Sequence, residues 1–164
     1  MLKLPQPYSS QIEQAKIKII ENEDQYKFVN ISSYWYSSFL KLPDSDWEEI
    51  VRVSFAEDKV FGFFKATVDR EVNQITSLTI INFNLKTISF TFIKDLENFV
   101  RYLIEYKKFN KISFSVVVGN PAERMYDKFT EKYNGRVVGI KKNEVKLVDG
   151  KFYDLKLYEI ENNI

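Results

Sequence analysis

Between Gln74 and Tyr133 the apolar residues change their spacing three times, and that order of changes admits few architectures. In "QITSLTIINF" and again in "KISFSVVV" apolar and β-branched residues crowd into short runs of strand type. Between them lies "FIKDLENFVRYLIEYKKF", where Phe92, Leu96, Phe99 and Leu103 step by four, three and four residues. They share one face of a helix of about five turns. A strand, a helix and a strand in that order form a crossover unit, with parallel strands and a right-handed connection. The second strand stops on Gly119-Asn120-Pro121 and passes at once into another helical pattern.

The rest of the chain fits around this unit. Residues 1 to about 14 read as a loosely held lead-in, "AKIKII" as a short strand, and "ENEDQYKFVNISSYWYSSFL" as a helix through Phe28, Ile31, Trp35 and Phe39. "WEEIVRVSFA", "VFGFFKATV" and "QITSLTIINF" read as three meandering strands, with "EDK" and "DREVN" as turns. "GRVVGIKKNEVKL" and "GKFYDLKLYEI" read as two long strands joined around Asp149-Gly150, a hairpin signal. The predicted class is α/β, a mixed and largely antiparallel sheet with one βαβ unit and helices on both faces. At 164 residues, 45% of them hydrophobic, the chain is expected to form a single domain over 1–164.

Two absences narrow the chemistry. The sequence has no cysteine and no histidine, so thiol nucleophiles, Ser-His catalysis, disulfides and Cys or His metal sites are excluded, and no metal ligands are assigned. Carboxylates, tyrosines, lysines, backbone dipoles or a bound cofactor must carry any reaction. A net charge of +1, with acidic residues interleaved among basic ones, gives no field for nucleic acid or an acidic membrane. No apolar run is long enough to span a bilayer, and the N-terminus lacks the apolar centre of a signal peptide, so a cytoplasmic location is expected.

The segment from Val116 to Phe129, "VVVGNPAERMYDKF", specifies a helix start closely. Asn120 can cap, Pro121 suits the first helical position, and Glu123 can close a reciprocal box. Ala122, Met125, Tyr126, Phe129 and Tyr133 then trace one apolar face, and Asn134-Gly135 supply a left-handed ending.

"GNPAERMY" resembles the segment between the fifth strand and the fourth helix of the GNAT acetyltransferase superfamily. The element order resembles that fold from about residue 16 to 160. The resemblance implies a cleft where the fourth and fifth strands splay apart at a bulge, an acetyl-CoA cosubstrate seated there, and a small-molecule or protein amine as acceptor. It also implies Tyr126 as the acid that protonates the departing thiolate. Val116 and Val118 would flank the thioester, and Asn120 would bond the pantetheine arm or the helix backbone. A phenol, with a reference pKa of about 10, is protonated at neutral pH and suited to such a transfer. The periodicity itself is equally served by Tyr126 as a core residue and Asn120 as a helix cap.

The chain departs from the family pattern at the pyrophosphate turn, which reads "NFNLKTISFTFIKDL" and contains no glycine. Thr87, Ser89 and Thr91 could still donate hydroxyls to phosphate there, and Lys86 and Lys94 could supply charge, beside the dipole of the following helix. There is also no acidic residue between Glu71 and Asp95 to serve as a base on the fourth strand. The two readings left open are an acyltransferase working by direct attack of an amine, and a GNAT-like binding or regulatory module without catalysis.

Overall fold

The computed structural model describes residues 1–22, 26–29, 41–84 and 89–162. The described strands form one seven-stranded sheet in the order β1-β2-β3-β4-β5-β7-β6. They are β1 (Leu2–Lys3), β2 (Glu49–Ala56), β3 (Lys59–Asp69), β4 (Gln74–Asn82), β5 (Lys111–Val117), β6 (Arg136–Lys146) and β7 (Phe152–Glu161). The described α-helices are α1 (Ser9–Glu21), α2 (Phe90–Arg101) and α3 (Glu123–Lys132). All neighbouring strands pair antiparallel except β4 and β5, which are parallel and joined through α2. This is the mixed α/β class expected from the sequence.

Each sheet face has its own core because strand residues alternate sides. On one face Ile50, Phe64, Ala66, Leu78, Phe114 and Tyr158 pack against α2 and α3. Phe92, Leu96, Phe99 and Leu103, the stripe read from the sequence, are at most 2% exposed. Burial of such side chains is worth about 1.5–3 kcal/mol each. Phe64 lies 5.2 Å from Phe92 and 5.7 Å from Phe99 between ring centroids. Within this apolar layer, the buried Asp95 of α2 accepts from Ser54 Oγ at 2.5 Å and lies 3.0 Å from the Met1 nitrogen, so the carboxylate is compensated. On the other face Val51, Val53, Phe63 and Ile81 pack against Ile12 and Ile19 of α1.

Two N-terminal expectations are corrected. The "AKIKII" segment is helical, part of α1, and the stretch read as a loose lead-in carries β1 and the start of that helix. Alternation of Lys16 and Lys18 with isoleucines imitated a strand, yet the buried residues are Ile12 and Ile19, two helical turns apart. Phe28 lies in a 3₁₀ turn at Lys27–Val29, and Ile31, Trp35 and Phe39 of the helix expected there lie outside the described residues. The "EDK" turn is real: Glu57 and Asp58 both have positive φ, 51° and 59°, the two-residue geometry that matches strand twist. After α2 the chain continues through a π-helical turn at Tyr102–Tyr106. No helix among the described residues is long and apolar enough to cross a membrane.

β6 lies at the sheet edge, and its pairing with β7 slips twice, at Val138 and again between Lys141 and Val145. Asn134, with φ 53°, supplies the left-handed residue after α3 that the sequence suggested. Gly135 is needed for a different reason: a Cβ there would lie 2.5 Å from the Glu159 carbonyl oxygen of β7. At Gly139 a Cβ would meet nothing within 4 Å. Gly135→Ala should therefore destabilise the protein by about 1–3 kcal/mol in chemical denaturation, whereas Gly139→Ala should stay within about 0.5 kcal/mol.

Candidate functional site

The cleft begins where β4 and β5 part. Their parallel pairing consists of Gln74 with Lys111 and Ile75 with Ile112, although β4 runs on to Asn82 and β5 to Val117. Next to that point β4 carries a bulge, since Thr67 and Val68 of β3 face Ser77 and Ile75, leaving Thr76 as the extra residue. This is the splay at a bulge that the sequence resemblance implied.

The hydrogen-bonding parity of each strand decides which peptide groups line the opening. At one end of β5 Val118 donates to the Asp154 carbonyl at 2.9 Å, and at the other Asn162 donates to that of Asn110 at 2.8 Å. Even-numbered residues of β5 thus face β7, and Ser113, Ser115 and Val117 face the cleft. On β4, Phe83 donates to Phe61 of β3 at 2.9 Å, so the peptide groups of Leu78 and Ile80 point the other way, toward β5. The amides of Val116 and Val118 are therefore turned away from the opening. The peptide group of the intervening Val117 faces the opening. Val116 is 6% exposed and contributes its side chain to the core.

At the end of β5 the chain turns through Gly119, with φ 89°, into α3. Asn120 Oδ1 accepts from the Ala122 N–H at 2.9 Å, and the Asn120 carbonyl accepts from Glu123 N–H at 2.9 Å. Asn120 thus forms a side-chain turn ahead of the helix and is not its cap: α3 starts at Glu123, its cap position is Ala122 with no side-chain cap bond, and Pro121 precedes the helix. The reciprocal bond falls one residue earlier than expected, with Glu123 Oε2 accepting from the Gly119 N–H at 3.0 Å.

α3 presents Tyr126 to the sheet. Its ring packs edge-on to Phe114 of β5 at 6.0 Å and is 7% exposed. Burial raises the pKa of the phenol above its ordinary value, helped by neighbouring Tyr158. The Tyr126 hydroxyl has no hydrogen-bond partner among the described residues. Thr130 Oγ1 is the one fully enclosed side-chain polar atom without a partner among the described residues.

Beside Tyr126 is a polar cluster. Asp127 Oδ1 accepts from Lys156 Nζ at 2.6 Å and from the Tyr158 hydroxyl at 2.7 Å, and Lys156 also donates to Glu123 at 3.2 Å. Tyr158 stacks on Phe114 at 4.8 Å with 10° between planes. Sequence reasoning missed this cluster. Its signal was the run Asp154, Lys156, Tyr158 at alternate positions of a strand that otherwise points leucines the other way, facing Glu123 and Asp127 four residues apart on a helix.

At the start of α2, Ser89 is a helix cap, its Oγ accepting from the Phe92 N–H at 3.1 Å and its carbonyl from Ile93 N–H at 3.2 Å. Thr91 is exposed in the first turn. Lys86 and Thr87 lie outside the described residues. Between α2 and α3 runs a groove of about 540 Å³ with Ile93, Leu96, Met125 and Phe129 among its lining and Arg124 and Lys128 on the α3 rim. That volume is in the range of small-molecule sites.

No protein-family model and no curated protein sequence matches the chain. Solved structures do. The spermidine/spermine N-acetyltransferase SpeG of Vibrio cholerae superposes with a TM-score of 0.58 at 20% identity, over 71% of this chain and 67% of that one. Glutamine-substituted forms of the same enzyme give 0.60 at 18% identity, over 71% and 66%. A protein described as a probable acetyltransferase gives 0.59 at 15% identity, over 71% of this chain and 64% of its own.

Asp127 supplies a test of the cluster. Hydrogen bonding from Lys156, reinforced by Tyr158, holds its carboxyl below the ordinary value of 3.8. A depressed folded pKa gives stability that is present above the unfolded pKa and lost as pH falls through the folded one. Asp127→Asn should therefore flatten part of the acid-side loss in urea midpoint measured from pH 6 down to about pH 3, relative to the parent protein. The fold is that of the GNAT acetyltransferases.

Proposed function

We propose that this chain is an N-acetyltransferase that moves an acetyl group from acetyl-CoA to an amine by direct attack. The observation that carries this reading is the parting of β4 and β5 in mid-sheet after Ile75 and Ile112. Peptide groups facing away from a partner strand in the middle of a sheet call for another hydrogen-bonding chain. The pantetheine arm of acetyl-CoA, thin and carrying two amides, has that chemistry. The acetyltransferase named for spermidine and spermine, among the structures of like fold, supports an amine as the acceptor class.

The residues present fit this donor. Leu78 and Ile80 on one edge and Ser113, Ser115 and Val117 on the other offer peptide groups to the arm. Apolar Leu78, Phe114 and Val116 form a dry floor. N–H groups of β5 aimed into the opening, such as that of Val117, polarise the thioester carbonyl where negative charge develops. The acceptor nitrogen forms a bond to the acyl carbon, the C–S bond breaks, and the sulfur takes a proton from Tyr126. β4 carries no carboxylate, so the proton of the amine passes to water, and water returns one to the Tyr126 phenolate.

Tyr126 is protonated throughout the neutral range, and its hydroxyl has no partner among the described residues. The burial that raises its pKa also makes it the weaker acid, so transfer to a thiolate of reference pKa about 8.5 requires the same apolar surroundings to raise the basicity of the departing sulfur. Tyr126→Phe should lower turnover by about 100-fold or more. The melting temperature and acetyl-CoA affinity should stay at the parent values, since no internal hydrogen bond is lost. Unchanged turnover removes Tyr126 from the mechanism.

The donor itself is tested by heat. Acetyl-CoA at 100 times its dissociation constant should add about 2.7 kcal/mol to stability and raise the melting temperature accordingly. No shift at millimolar acetyl-CoA overturns the reading. A shift without turnover on any amine would leave a binding module.

A further inference from the structure

At the starts of both helices part of the backbone amide set is already taken. At α2 the Phe92 and Ile93 amides are already bonded to Ser89. At α3 the Ala122 and Glu123 amides are bonded to Asn120, and the Glu123 carboxylate sits on Gly119 N–H in the first turn. A negative side chain there repels phosphate. The β4–α2 connection has no glycine to bring backbone amides close.

Cations stand instead on the flank of α3. Arg124 and Lys128 are exposed, one helical turn apart, on the rim of the groove between α2 and α3. Neither has an ion pair or hydrogen bond among the described residues. Glu123 and Asp127, their sequence neighbours, are engaged with Lys156, and Glu131, three residues beyond Lys128, is exposed with no ion pair among the described residues. Like charges one turn apart disfavour the helix unless an anion joins them. Farther along, Lys132 bonds Glu97 at 2.7 Å and ties α2 to α3 across the groove. The groove is thus apolar on its floor, cationic on one rim and bridged by an ion pair.

We infer that Arg124 and Lys128 hold the phosphate groups of the acyl-CoA along the flank of α3, in place of backbone amides at the β4–α2 turn. This rests on the acetyl-CoA reading above. Guanidinium and ammonium groups make charge-assisted bonds to phosphate oxygens that do not depend on a glycine-lined turn. Binding then depends on side-chain charge and weakens with salt.

The test is calorimetric titration of the full chain, parent and variants, with CoA, 3′-dephospho-CoA and pantetheine at two salt concentrations. Arg124→Gln with Lys128→Gln should weaken CoA binding about tenfold or more. It should leave pantetheine affinity and the melting temperature unchanged, and reduce the salt dependence of CoA binding. Lys151→Gln, exposed in the turn between β6 and β7, should bind CoA as the parent does. Dephospho-CoA separates the sources: a variant effect that persists with it places the diphosphate on this rim, and one that vanishes places the ribose phosphate there. Parent-like CoA affinity in the double variant overturns the inference while leaving the acetyl-CoA reading intact. Equal loss for pantetheine also overturns it, since the role would then be structural. No CoA binding by the parent protein overturns both.

Discussion

Two parallel strands that share a ladder of two residue pairs and then separate cannot stabilise one another over the rest of their length. Everything about the molecule near Ile75 and Ile112 follows from that. β4 is held from its other side by β3 and by the packing of Leu78 and Ile81, and β5 by a continuous ladder to β7. The opening is therefore bounded by two well-supported edges. An unsupported gap would collapse, because exposed peptide groups next to an apolar floor favour pairing.

α3 is fastened to the β5–β7 side of that gap. The Lys156 and Tyr158 bonds to Asp127, the stacking of Tyr158 on Phe114 and the edge contact of Phe114 with Tyr126 form one continuous set of contacts. They fix the orientation of the phenol through its neighbours and leave its hydroxyl uncommitted. Groups held by packing while their reactive atom stays free are suited to meeting a substrate atom without prior rearrangement.

Strands β2 to β7, the two helices after β4 and β5 and the closing hairpin were legible in the sequence because their periodicities are long and uninterrupted. The stripe Phe92, Leu96, Phe99, Leu103 is buried as its spacing demands. α1 was misread because six residues with alternating lysines look locally like a strand, and the burying residues Ile12 and Ile19 lie across the boundary drawn there. At the site, sequence located the turn at Gly119 and the helix bearing Tyr126, but it could not assign amide directions. Whether Val116 or Val117 faces the cleft depends on pairing parity with β7, a long-range property absent from the local pattern. Likewise Lys156 finds Asp127 across 29 residues of chain, and no local rule links the two.

The slips in β6 bear on what the molecule can become in a crowded solution. An outer strand that carries Val137, Val138 and Ile140 at 46%, 54% and 49% exposure is, by composition, a template for annealing to another chain. Annealing needs an unbroken row of donors and acceptors at even intervals. The extra residue at Val138 and the irregular stretch from Lys141 to Val145, where Asn143 turns to φ 51° and Lys142 reaches back to Asp154, interrupt that row. These interruptions work against extension of the sheet beyond β6, as bulges do at other sheet margins.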